Sequence, residues 1–112
     1  MAVIYHIVCS TDWPPKAGLY RGDTLESEGF IHCSTQEQLL LVANRLFRGR
    51  TDLIGLAIDE AKVTSTIIYE NLEGGTEHFP HIYGPLNADA VIESFDLPLG
   101  PDGRFTIPNA RN

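Results

Sequence analysis

The sequence predicts an α+β domain with a largely antiparallel sheet of five to six strands, one long helix and one or two short helices. Three observations carry this. Short apolar runs rich in valine, isoleucine and tyrosine recur along the chain. Only the stretch around Leu39–Phe47 keeps helical spacing over several turns. The strand candidates are mostly not separated by helices long enough for the crossovers a parallel sheet requires.

Val3–Val8 is apolar on both sides apart from His6, as a central strand would be. Thr11 or Asp12 is expected to cap a short helix beginning at Trp13-Pro14-Pro15, because proline is tolerated in a first turn. Gly18 or Gly22 would end it, and the acidic piece between Gly22 and Gly29 reads as loop or short turn. Phe30–Cys33 is a short strand. Ser34, with Glu37 three residues on, has the capping-box pattern. Leu39, Val42, Ala43, Leu46 and Phe47 continue that helix, and Gly49 is its natural stop. Leu53–Ile58 is another strand, and Asp59–Val63 a turn or short pairing segment. Thr66–Glu70 is a β-branched strand, Gly74-Gly75 a turn, and Phe79–Tyr83 extended because a residue before proline avoids the helical region. Gly84, Pro85 and Asn87 predict a turn, Ala90–Leu97 a strand, and Phe105–Ile107 an edge pairing. One domain, 1–112, is expected, with its core in 1–97 and a looser segment in 98–112.

Composition narrows the function. With 43% hydrophobic and 21% charged residues the chain has a globular balance. Eight Lys and Arg against fifteen Asp and Glu give a net charge of -7, without the basic footprint of a nucleic-acid binder. The cluster Arg45, Arg48 and Arg50 has a local explanation in the preference of cations for helix C-termini, the competing reading being a site for a phosphate or other small anion. Two cysteines, Cys9 and Cys33, are too few for a disulfide scaffold, and no signal peptide or membrane-length apolar run is evident. The expectation is a cytoplasmic protein, a monomer or weak homodimer, that binds a small-molecule ligand, with no nucleic-acid or membrane partner.

Four histidines, His6, His32, His78 and His81, lie near predicted strands. Imidazole suits proton transfer near neutral pH, and on an apolar strand it needs a partner for each nitrogen or a cavity to face. The competing reading is a satisfied structural histidine. His32, Cys33, His78 and His81 are possible zinc ligands, but adjacent strand residues point to opposite faces. No metal is expected. Cys33 precedes a helix start, where a thiol can be activated, although buried cysteine is commonly inert packing. The helix N-terminus at Ser34 and Thr35 can receive an anionic group. Glu70 at a strand end is a candidate carboxylate for stabilising developing charge, with Asp59 and Glu60 as competitors. Tyr83 offers an aromatic face and a hydroxyl, and Arg21 and Arg45 are the arginines placed to meet an anion.

IYHI near the start, GFIHCST, VANRLF in the helix and FPHIYGPLN together resemble the domain of unknown function 952 family, over nearly the whole chain up to Leu97. The fold this implies is similar to that of the ADP-ribosyltransferases, a split sheet that binds NAD in its cleft. The resemblance implies that His6 holds a ribose hydroxyl, that Phe30–Ser34 with His32 lies along the nicotinamide end, and that the ring lies near Phe30 and Tyr83. The motif that usually supplies a catalytic glutamate has no clean counterpart; Glu70 stands early in the strand order for it, and HIYG occupies the later region. The catalytic candidates are therefore His6, His32, His81 and Glu70. Those expected to hold the ligand are His6, Phe30, Ser34, Thr35 and Tyr83. The function this implies is a NAD-binding, ADP-ribosyl-transfer-like enzyme acting at the nicotinamide ribose. The alternatives are a non-catalytic nucleotide or metabolite module, and a structural or protein-interaction domain.

Overall fold

Among the described residues eight strands and two α-helices follow in the order β1 (Val3–Cys9), β2 (Leu19–Tyr20), α1 (Thr24–Glu28), β3 (Ile31–His32), α2 (Gln36–Leu46), β4 (Leu53–Asp59), β5 (Thr66–Glu70), β6 (Phe79–Tyr83), β7 (Leu86–Asn87) and β8 (Val91–Asp96). The computed structural model describes every residue except 1, 16–17, 23, 72–76 and 106–112. The strands form three antiparallel sheets: β1-β4-β8, β3-β6-β5 and the pair β2-β7. Among the described residues no helix is long and apolar enough to cross a membrane.

β4 explains the layering. Six of its seven residues are buried, Ile54 alone being partly exposed, so the strand is covered on both faces. On one face Leu56 and Ile58 join Ile4 and Val8 of β1 in a cluster with Ile31, Cys33, Ile82 and Leu86 from the other sheets. On the other, Ala57 packs with Tyr5 and Leu39, and Leu53 with Ala43, Leu97 and Phe105. Leu39 and Ala43 come from α2, which covers that face as a single amphipathic helix must.

Gly55 makes room for an aromatic ring. It pairs with Phe95 of β8, and a Cβ there would lie 2.5 Å from Phe95 Cζ. Gly55→Val is therefore expected to push the ring aside and lower the unfolding free energy by about 1–3 kcal/mol. The measurement is a shifted denaturant midpoint at unchanged slope.

Several local expectations are corrected. No helix starts at Trp13: a 3₁₀ turn spans Ser10–Asp12, and Trp13 is extended before a cis bond to Pro14. A residue that precedes proline is biased away from the helical region. The acidic loop before Gly29 contains α1, whose Leu25 is buried in the core. The capping box sits one residue later than expected, with Thr35 and Gln38 in place of Ser34 and Glu37. The reason is that Ser34 is still strand-like: it exchanges backbone hydrogen bonds with Tyr5, both 2.7 Å. Gln38 also donates to the His78 carbonyl at 2.9 Å and to Glu77 Oε1 at 3.3 Å, which a carboxylate could not do. The turn expected at Gly84–Asn87 contains β7, which pairs with β2, and these two-residue strands raise the total from five or six to eight. Asp59–Val63 holds a 3₁₀ turn capped by the Asp59 side chain. Phe105 is buried, bridged to Leu99, and its N–H donates to Asn44 Oδ1 at 2.7 Å. The Gly74-Gly75 turn and the rest of the edge pairing at 106–107 lie outside the described residues.

Candidate functional site

β1 meets the segment that follows β3 in an isolated backbone bridge, Tyr5–Ser34. Continuing that register would set Ile7 opposite His32. Instead β1 stays with β4 and β3 with β6. The His6 imidazole reaches the gap: its Nδ1–H donates to the His32 carbonyl at 2.6 Å. A carbonyl only accepts, so the neutral ring has its lone pair on Nε2, which accepts from the Tyr20 hydroxyl at 3.0 Å.

A cavity of about 660 Å³ lies along this parting. β1 contributes Tyr5–Cys9, the segment from Tyr20 to α1 contributes Tyr20, Thr24 and Glu28, and β3 with its flanks contributes Phe30 and His32–Ser34. β5 and β6 supply Glu70, Phe79 and His81, and the end of α2 and the loop after it supply Arg45, Leu46, Phe47 and Arg50. Three histidines from separate segments thus meet around one hollow, while His78 stands outside its lining.

On the β3-β6-β5 sheet, Phe30, His32, His81, Tyr83 and Glu70 gather by strand pairing. His32 is paired with His81, and Glu70 with Phe79, so their side chains share a face. Phe30 is buried and stacks on His81, centroids 4.2 Å apart and planes 22° apart. His81 Nδ1 donates to Glu70 Oε1 at 2.9 Å, and the Tyr83 hydroxyl donates a short hydrogen bond to the same oxygen. A second imidazole–carboxylate pair joins His32 Nε2 to Glu28 Oε1 at 3.1 Å.

These bonds set the ionisation of the wall. The Tyr83 hydroxyl, and after it His81, holds the Glu70 carboxyl below the usual carboxylate range. The same bond to Glu70 raises the Tyr83 phenol above its ordinary value. A carboxylate whose folded pKa is depressed stabilises the fold above its unfolded pKa, and that contribution is lost as pH falls through the folded value. A phenol whose folded pKa is raised loses its contribution as pH rises through the folded value. The Tyr83–Glu70 bond is therefore expected to persist between those two limits. The check is NMR of the Tyr83 ring against pH: its shift should stay flat through neutrality and move at each limit.

Two other expected residues stand elsewhere. The Thr35 hydroxyl accepts from Gln38 N at 3.4 Å, and Thr35 is outside the cavity lining, as is Tyr83. Ser34 lines the cavity but is only 4% exposed. Cys33 is buried in the central cluster, and desolvation pushes its thiol up, which is the inert-packing outcome. Arg45 lines the cavity and Arg21 does not. Arg50 is paired with Asp52 through two bonds, 2.7 and 3.0 Å. Among the described residues, no three His, Cys, Asp or Glu side chains are grouped to hold a metal.

The DUF952 family profile, described as a protein of unknown function, matches residues 7–94. The chain belongs to the DUF952 family. Among solved structures, this DUF952 chain is similar to protein CC0527 from Caulobacter crescentus. The crystal structure of CC0527 has 33% sequence identity, a TM-score of 0.83 and 93% of each chain covered. Its solution structure has 34% identity and a TM-score of 0.80, with 93% of this chain and 91% of that chain covered. No curated protein matches the sequence. Among the lining residues of this DUF952 domain that sequence reasoning had not singled out are Tyr20 and Glu28. Glu28 had one available signal, a carboxylate four residues before His32 with Gly29 between them to turn the chain.

Proposed function

We propose that the cleft binds NAD and that the chain acts at the nicotinamide ribose, as an ADP-ribosyl-transfer-like enzyme. One observation carries the reading: Glu70, held ionised by Tyr83 and His81, lines a cleft that His6 and His32 also line. The ADP-ribosyltransferase-like split sheet implied by the sequence resemblance is part of the proposal. The parting of β1 from β3, which lie in different sheets with an isolated Tyr5–Ser34 bridge just past the end of β3, supports it. The cavity volume is within the range usual for small-molecule sites, about 300–1,000 Å³. Its lining mixes aromatic rings with many polar and charged side chains, Asp12, Glu28, Arg45, Glu70 and Asn71 among them, which suits a ligand with a flat ring and hydroxyls.

Bound NAD would supply a glycosidic bond whose bonding pair leaves with nicotinamide, placing positive charge on the ribosyl carbon. Glu70 is a fixed negative charge suited to stabilising it. His81 and Tyr83 fix one Glu70 oxygen by hydrogen bonds, so little reorganisation is needed as charge develops. Phe30, buried and stacked on His81, backs the wall against which the ring would lie. An imidazole takes the proton of the incoming hydroxyl. NMR titration with NAD should move the signals of His6, His32 and His81, and an assay should detect nicotinamide release. No shift at millimolar NAD would end the reading.

A second reading, a non-catalytic nucleotide or metabolite module, is favoured by His6. Both its ring nitrogens already hold protein partners, so the imidazole acts as a strut between β1, β3 and Tyr20. NAD-dependent shifts without nicotinamide release would select it.

A further inference from the structure

We infer that His32 is the proton-transferring side chain of the cleft and that Glu28 is its positioning residue. This rests on the reading of the cleft as a site of chemistry at a ribosyl carbon.

The other histidines are committed elsewhere. His6 donates through Nδ1 and accepts through Nε2 inside the protein. The His81 side chain is 5% exposed, stacked on Phe30 and spent on orienting Glu70. His78 is outside the cleft lining. His32 differs on each count. Its side chain is 46% exposed, and it lines the cleft together with Glu28. An ionised carboxylate can only accept, so Glu28 keeps the proton on Nε2 and the lone pair on Nδ1. No hydrogen bond from a described residue occupies that Nδ1.

The pair is held before any ligand arrives. Thr24 Oγ1 donates to the Phe30 carbonyl at 2.7 Å, tying the start of α1 to the entrance of β3. Gly29 has φ +89°, a value that favours glycine, and it turns the chain so that Glu28 and His32 meet. The His32 carbonyl is pinned by His6. An imidazole oriented by a carboxylate, with its second nitrogen unblocked, is the arrangement a general base needs.

The first test needs no turnover. Diethyl pyrocarbonate reacts with an imidazole lone pair: a bond forms from Nδ1 to a carbonyl carbon, ethyl carbonate leaves, and Nε2 releases its proton. His32 should be carbethoxylated several-fold faster than exposed His78, and His81 should be protected. Glu28→Gln should bring His32 down to the His78 rate. His32 reacting no faster than His78, or an unchanged rate in Glu28→Gln, overturns the inference. In the nicotinamide assay, Glu28→Gln should lower kcat about tenfold at unchanged KM, with partial recovery in Glu28→Asp. A kcat equal to wild type in Glu28→Gln also overturns it. If the wild type releases no nicotinamide while His32 shows Glu28-dependent reactivity, the ribosyl chemistry is what fails and the assignment of the pair stands.

Discussion

Glu70→Gln is expected to lower nicotinamide release from NAD by roughly 10²–10³-fold, the cost typical of removing one preorganised electrostatic group. Glutamine keeps the shape and leaves an oxygen for the Tyr83 hydroxyl, so geometry is conserved and charge is not. If Glu70 acts on charge that appears only as the glycosidic bond breaks, kcat and kcat/KM should fall together while KM stays level. A raised KM with unchanged kcat would instead assign Glu70 to ground-state binding. The control is thermal unfolding, in which the variant should remain close to wild type because the carboxylate is partly reached by solvent. An unchanged rate would remove Glu70 from the chemistry and with it the observation on which the enzymatic reading rests.

The parts of the fold that were legible in the sequence are those where one physical signal dominates. Thr66–Glu70 and Phe79–Tyr83 form as strands over the expected residues, because a β-branched run and a proline-flanked extended run leave little choice. The α2 helix follows from its apolar spacing. Its cap was displaced because Ser34 and Thr35 are nearly equivalent as caps. The choice between them is made by a partner twenty-nine positions earlier, Tyr5, whose backbone pairs with Ser34. The same holds for β2 and β7: neither has a local strand signal, and each is stabilised by finding the other.

The site was half legible for a related reason. A histidine inside an apolar strand needs an explanation, and that singled out His6 and His32. The partners are not visible in this way. Glu28 is an ordinary acidic residue in an acidic stretch until α1 and Gly29 place it against His32. Tyr20 is unremarkable until β2 pairs with β7 and brings its hydroxyl to His6. Glu70 was visible only as a strand-end carboxylate, and its two donors come from β6, the neighbouring strand. Pairing across strands, rather than local spacing, assembles the wall.

His6→Ala is the stability experiment with the largest expected effect. The ring is half-buried between the hydrophobic residues Ile4 and Val8, which point to the same side of β1. Its removal takes a donor from the His32 carbonyl and an acceptor from the partly buried Tyr20 hydroxyl, and leaves a gap where the sheets part. The bond to Tyr20 is partly buried and that to His32 is exposed, so each contributes about 0.5–1.5 kcal/mol; with the packing of the half-buried ring added, a loss of about 2–4 kcal/mol is expected in chemical denaturation. Tyr20→Phe, which removes only the hydroxyl and keeps the ring packed on Trp13, should cost about 1 kcal/mol. The two variants separate the roles in play for His6. As a strut, it should give a large stability loss in His6→Ala and a smaller one of the same sign in Tyr20→Phe. As a ligand-holding side chain alone, it should give near-normal stability with lost NAD binding. Because His6 pins the carbonyl of the residue whose ring bonds Glu28, the strut also predicts slower carbethoxylation of His32 in His6→Ala at temperatures where the variant is still folded.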